Sequence, residues 1–118
     1  MMVTKNMFGV IIFDLGSGII GGMGMAPSAD GSESYDLSQP SHGTAPSIAG
    51  KGVANPIANI LSVAMILELL EHTKTLRGAR FITDAVVRVL ANANHRNADL
   101  GGKTFTTQMT SLVHQSHN

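Results

Sequence analysis

His42 to Pro56, reading HGTAPSIAGKGVANP, gathers the side chains best suited to hold a ligand. It combines an imidazole, the hydroxyls of Thr44 and Ser47 and the amide of Asn55 with three glycines and two prolines. The glycines let the backbone approach a bound molecule closely. Asn55-Pro56 is a helix-start signal, a capping side chain followed by the proline that suits the first helical position. A loop that runs into a helix start is a natural seat for an anionic or nucleotide ligand. A second cluster, Arg96 to Gly102 (RNADLGG), holds Asp99 in a turn, where a plain Asx turn is an equally good account.

Other spacings invite chemistry that the residues do not sustain. Lys51 lies between Gly50 and Gly52, but neither the spacing nor the missing Ser/Thr satisfies a phosphate-binding P-loop. Gly16 to Gly21 fits G-x-G-x-x-G after the strand-like VIIF at 10 to 13, which would make a Rossmann-type dinucleotide binder. Pro27 and the further glycines would leave its phosphate-bearing helix only about one turn. His114 and His117, three apart, could grip a metal, although a polar chain terminus explains them equally.

The elements that must position these groups are mostly helical. Residues 56 to 71 are apolar almost all round, the pattern of a helix buried on most sides. In residues 76 to 93, Ile82, Ala85, Val86, Val89 and Ala93 form a packed stripe, while Arg77, Arg80, Asp84, Arg88 and Asn92 form a wet one. Residues 94 to 103 read as a turn-rich link and 104 to 114 as a last amphipathic helix. Residues 29 to 39 read as an exposed loop with a short extended piece near Tyr35 to Gln39.

At 118 residues the chain is at most one small domain. Basic and acidic residues balance at eight each, which excludes the basic excess that nucleic acid or an anionic membrane would require. No apolar run reaches the roughly 20 residues of a spanning helix. The start, Met1 to Ala26, imitates a signal peptide, but Asp14 and the glycines interrupt its apolar core. Without cysteine there is neither a disulfide framework nor a thiolate metal site, so a reducing compartment is expected: the cytoplasm, with the mitochondrion as the alternative. Charged residues are scarce for so small a chain, a sign that some apolar surface expects a partner.

The loop at 42 to 56 closely resembles the cofactor loop of the decarboxylating dehydrogenases that include isocitrate, 3-isopropylmalate and tartrate dehydrogenases. Asn6 to Ala29 resembles that family's metal-carboxylate helix and following turn, and Arg96 to Gly102 its late adenine-side turn. The resemblance implies an α/β chain, a C-terminal fragment of the isocitrate/isopropylmalate dehydrogenase-like fold, mostly helical with one or two short strands. It further implies one partial domain, with a metal-helix remnant at 7 to 26, an adenosine-binding loop at 42 to 56 and a helical C-terminal part at 56 to 118. Residues 7 to 21 would then be helix, contrary to the Rossmann reading.

By this resemblance His42, Gly43, Thr44, Ala45, Pro46, Ser47, Ile48, Asn55 and Asp99 would bind the adenosine half of NAD. The family's aspartate after the first proline is Ser47 here, so the charged acceptor for the ribose hydroxyls is missing and weakened NAD affinity is expected. Ile48 follows the NAD rather than the NADP pattern. The family's Mg or Mn ion is held by two acids four residues apart on one helix face. Asp14 matches the second, but Val10 occupies the place of the first, so the metal site is incomplete.

The family reaction is oxidation of a small 2-hydroxy acid with loss of an adjacent carboxylate, and its substrate-gripping groups lie in a region not represented here. The expected function is therefore a fragment or degenerate member, inactive alone, as a homodimer or in association with a full-length relative. The alternative is a non-catalytic subunit or adenine-nucleotide-binding module. With no sheet for the 56 to 71 helix to cover, aggregation or partner dependence is expected.

Overall fold

A computed structural model describes residues 5–116. Among these residues four helices follow a chain order interrupted by one hairpin: α1 (Asn6–Ile19), β1 (Pro27–Gly31), β2 (Asp36–Pro40), α2 (Ile57–Leu69), α3 (Thr73–Ala91) and α4 (Thr106–Gln115). Single 3₁₀ turns at Met23–Met25, Pro46–Ile48, Ala93–His95 and Ala98–Leu100 make the corners. The helix over 6–19 eliminates the Rossmann reading, because the residues that would be its first strand, and the first two fingerprint glycines, are helical. β1 and β2 pair antiparallel from Pro27 opposite Pro40 to Gly31 opposite Asp36. The stretch read as an exposed loop is thus largely a hairpin. Ser32 closes its turn, its hydroxyl donating to the Tyr35 carbonyl and accepting the Tyr35 N–H.

The core lies where α2, α3 and α4 meet. Ile57, Ala85, Val86, Val89, Met109 and Val113 are buried together, with Met25, Ile60, Leu61, Leu90 and Leu112 packed around them. The stripe expected on α3 is therefore the packed face, and Arg77, Arg80, Asp84 and Arg88 are exposed as expected. Ala93 departs from that stripe. Asn92 leaves the helix at φ −89°, ψ 112° and its side chain accepts the Asn94 N–H, so α3 stops at Ala91 and Ala93 is exposed in the next turn.

α2 packs against α3 on one side and the β1–β2 hairpin on another. This corrects the expectation that it has no sheet to cover, since the hairpin is local and comes from the chain itself. The cover is nonetheless incomplete. Ile57, Ala58, Ser62 and Ala64 are buried, whereas Val63, Leu69 and Leu70 are not.

α1 stands apart. Its one buried residue is Ser17, whose hydroxyl donates to the Phe13 carbonyl of its own helix. Phe8, Val10, Ile11, Leu15 and Ile19 are each more than half exposed. The radius of gyration is 14.9 Å, above the value of about 13.5 Å for a compact domain of this length. The helix ends in a reversal at Gly21 and Gly22, both at φ above 110°, a conformation that glycine alone adopts without strain. Among the described residues no helix is long and apolar enough to cross a membrane.

Candidate functional site

The loop at 42 to 56 is held open by its neighbours rather than collapsed on itself. Pro46–Ile48 forms a 3₁₀ turn entered through Ala45 at φ 44°, ψ 62°. That left-handed conformation costs a non-glycine residue on the order of 1 kcal/mol or more and persists only where the surroundings hold it. On the far side Gly50 and Gly52, both at positive φ, turn the chain back toward α2. The first turn of α4 anchors this return. The Thr106 N–H donates to the Gly52 carbonyl at 2.8 Å, and the Thr106 hydroxyl donates to the carbonyl of Ala54. Gln108 secures the same helix start by accepting the Phe105 N–H at 3.0 Å.

Asn55 joins the loop to the rest of the molecule. Its Oδ1 accepts the Ile57 N–H at 3.0 Å just ahead of α2; the helix begins one residue later than the Asn-Pro pair predicts, so Pro56 takes the cap position and Asn55 the one before it. Its Nδ2 donates to Asp99 Oδ2 at 3.0 Å and touches Met25 Sδ at 3.5 Å. The two ends of the amide are thus fixed by partners of opposite polarity. Asp99 sits on the Ala98–Leu100 turn and remains exposed. That turn is closed by Asn97, whose carbonyl accepts the N–H groups of Leu100 and Gly102 while its buried Nδ2 donates to the Thr104 carbonyl. Asp99 is therefore not spent on an Asx turn. The backbone makes the turn, and the carboxylate reaches across to Asn55.

Between these walls lies a cleft of about 890 Å³, within the usual range for small-molecule sites. Seven of the nine residues proposed from the sequence line it: His42, Gly43, Thr44, Ala45, Ile48, Asn55 and Asp99. Pro46 and Ser47 do not, and both are exposed. Most of the lining is apolar or bare backbone, with Asp99 the one carboxylate and His42 the one imidazole. His42 Nδ1 lies 2.9 Å from the Gly43 carbonyl. A carbonyl only accepts, so Nδ1 carries the proton and Nε2 is left as the ring's acceptor in the neutral form.

Gly24, Val53, Ala54, Ala98, Thr106 and Thr107 also line the cleft and were not singled out in the sequence. Thr106 and Thr107 carried a faint signal as hydroxyl residues at a helix start. Gly24 carried only its position among several glycines.

Asp14 is exposed on α1, with Val10 one turn before it. Among the described residues no three His, Asp or Glu side chains gather closely enough to hold a metal ion. Valine offers no lone pair, so the residues present do not fit the family's divalent ion. His117 lies outside the described residues, and with it the His114–His117 pair.

A family model described as isocitrate/isopropylmalate dehydrogenase matches residues 1–113. The chain belongs to this family. Isocitrate dehydrogenase (NAD) catalytic subunit 5, mitochondrial, of Arabidopsis thaliana is 41% identical over 113 residues, covering 95% of this chain and 29% of the relative. The 3-isopropylmalate dehydrogenase of Streptococcus thermophilus is 45% identical over 113 residues, 95% of this chain and 32% of that protein. In structure, the isocitrate dehydrogenase of Methylococcus capsulatus superposes with a TM-score of 0.87 at 37% identity, covering 98% of this chain and 34% of that one. The chain thus spans about a third of the length of the relatives it matches. The fold expectation holds: a mostly helical fragment of the isocitrate/isopropylmalate dehydrogenase-like fold with two short antiparallel strands.

Proposed function

We propose that this member of the isocitrate/isopropylmalate dehydrogenase family provides the adenosine-binding wall for NAD in oxidative decarboxylation of a small 2-hydroxy acid, and that these 118 residues do not turn substrate over by themselves. The observation that carries the reading is the cleft, in which loop 42–56, the Asp99 turn and the first turn of α4 meet. Its apolar walls suit the faces of a purine, Asp99 offers an acceptor for the ligand's N–H or O–H donors, and His42 Nε2 offers a second. When bound, NAD would supply the hydride acceptor. The chain's own contribution is to seat the cofactor's adenosine end and keep it from water. Ser47 points to weakened affinity, having no charge with which to hold ribose hydroxyls and standing outside the cleft lining. Val10 argues that Mg or Mn is not retained, so no step is assigned to a metal here.

Isothermal titration with NAD, NADP and AMP tests the reading. One site per chain, with NAD and AMP bound and NADP bound no better, is expected. Absence of binding by all three would sink it. Assays with isocitrate or isopropylmalate, NAD and Mn are expected to show no turnover by this chain alone.

The bare apolar surface of α1 favours a second reading of the same cleft, as the nucleotide site of a non-catalytic subunit that docks on a full-length relative or on a second copy of itself. Co-purification with such a relative would support it. In either reading the cysteine-free chain suits a reducing compartment, cytoplasmic or mitochondrial.

A further inference from the structure

We infer that Gly24 is a positioning residue of the cleft: the absence of a side chain there is what allows the Asp99 carboxylate to be held by the Asn55 amide and so presented to a ligand. The inference deepens the proposed adenosine site and rests on that reading for its effect on binding. Gly24 lies in the turn after α1, distant in sequence from both partners, and lines the cleft beside them. A Cβ built on it would stand 2.6 Å from Asp99 Oδ2, 2.9 Å from Asn55 Cβ and 3.4 Å from Asn55 Cγ. The two closest of these distances are shorter than ordinary van der Waals contact.

Which neighbour would yield follows from how each is held. Asn55 is only 8% exposed, and its Oδ1 is committed to the buried Ile57 N–H. Moving it would leave the Ile57 N–H at the start of α2 without its partner. Asp99 is exposed on a short turn, and the one side-chain bond described for it is to Asn55. The carboxylate is therefore the group an added methyl displaces furthest, Asn55 Cβ having only to give by a few tenths of an ångström, and Asn55 Nδ2 loses its charged acceptor. The bond from Asn55 engages Oδ2, which leaves Oδ1 in a fixed orientation to accept from the ligand. A carboxylate free to rotate would have to be ordered on each binding event, which weakens the complex. Gly24 is not among the glycines at positive φ, so space rather than backbone conformation makes it necessary.

The test has a part that needs no ligand. In a ¹⁵N–¹H correlation spectrum the Asn55 side-chain amide of G24A is expected to move toward the position it takes in D99A, because both variants take the acceptor away from Nδ2. An Asn55 amide unchanged by G24A would overturn the inference. In the second part, G24A and D99A should each weaken NAD binding by roughly tenfold, about what one charge-assisted hydrogen bond contributes. The double variant should be no weaker than either single one. Losses that multiply would mean that Gly24 acts by another route. If G24A does not fold alone, adding Asp99→Ala in the same chain should raise its stability toward the wild type by relieving the tighter of the two overlaps, and a double variant no more stable than G24A would also refute the assignment. Should the wild type bind no NAD, the proposed function fails, while the amide spectrum still decides the role of Gly24.

Discussion

α1 and the cleft are built on opposite principles. In the cleft, each wall is fixed by bonds to a segment remote in sequence: Thr106 to Gly52 and Ala54, and Asn55 to Asp99. α1 has a long apolar surface and almost nothing upon it, its single buried side chain being turned back on its own backbone. Hydrogen bonds with fixed geometry complete a site within a small chain. Apolar area is stabilising only when something covers it, and on α1 little does.

The contrast predicts a gradient of effects. The largest belongs to Gly102→Ala, because a Cβ there would overlap the Arg96 carbonyl, a backbone atom that cannot turn aside. A loss of about 3 kcal/mol is expected, or roughly 10 °C in a thermal melt, together with loss of nucleotide binding as the Asp99 turn opens. A G102A protein melting like the wild type would mean that this wall is not rigid.

Met109→Ala comes next. Met109 is fully buried in the shared core of α2, α3 and α4, and truncation should cost about 2 to 3 kcal/mol by chemical denaturation. Because the cleft is made by loops attached to this core, the residual folded protein should retain its nucleotide affinity.

Ala45 and Glu71 then separate strain at the site from strain elsewhere. Both non-glycine residues sit at positive φ, 44° and 51°. Glycine at either position should raise stability by about 1 kcal/mol, as the left-handed conformation loses its steric cost. Only Ala45→Gly should weaken nucleotide binding, because the strained residue shapes the cleft wall. Equal binding by the two variants would show that the strain at Ala45 has no part in the site.

The smallest effect on stability is expected from Leu15→Glu with Ile19→Lys on α1. These exposed side chains contribute little to the fold, so the melt should shift by less than about 0.5 kcal/mol. Light scattering should nevertheless show a marked fall in self-association. If association is unchanged, the bare helix face is not where copies or partners meet.

Much of the site was legible because its residues are close in sequence. Asn55-Pro56 announced a helix start through local capping chemistry, and the i, i+3, i+4 stripe of Ala85, Val86 and Val89 announced a packed face through helical period alone. The hairpin was half legible. The extended piece ending at Gln39 was visible, but its partner β1 was not, since Pro27, Gly31 and the polar residues between them have little strand preference of their own. Gly24 was hidden for another reason: its importance lies wholly in which side chains, 31 and 75 positions later, come to lie against it.

The sequence by itself determined the family, the helices and the loop suited to a nucleotide, because capping, periodicity and glycine placement act over a few residues. It also placed a valine at position 10, a side chain that cannot be a metal ligand in any fold. Only the tertiary structure decided that Asp99 turns toward Asn55 instead of closing its own turn, that Ser47 stands outside the cleft and Thr106 inside it, and that α1 is left uncovered. These outcomes depend on long-range packing, in which a hydrogen bond or a collision of 3 Å or less is set by segments that sequence proximity does not bring together.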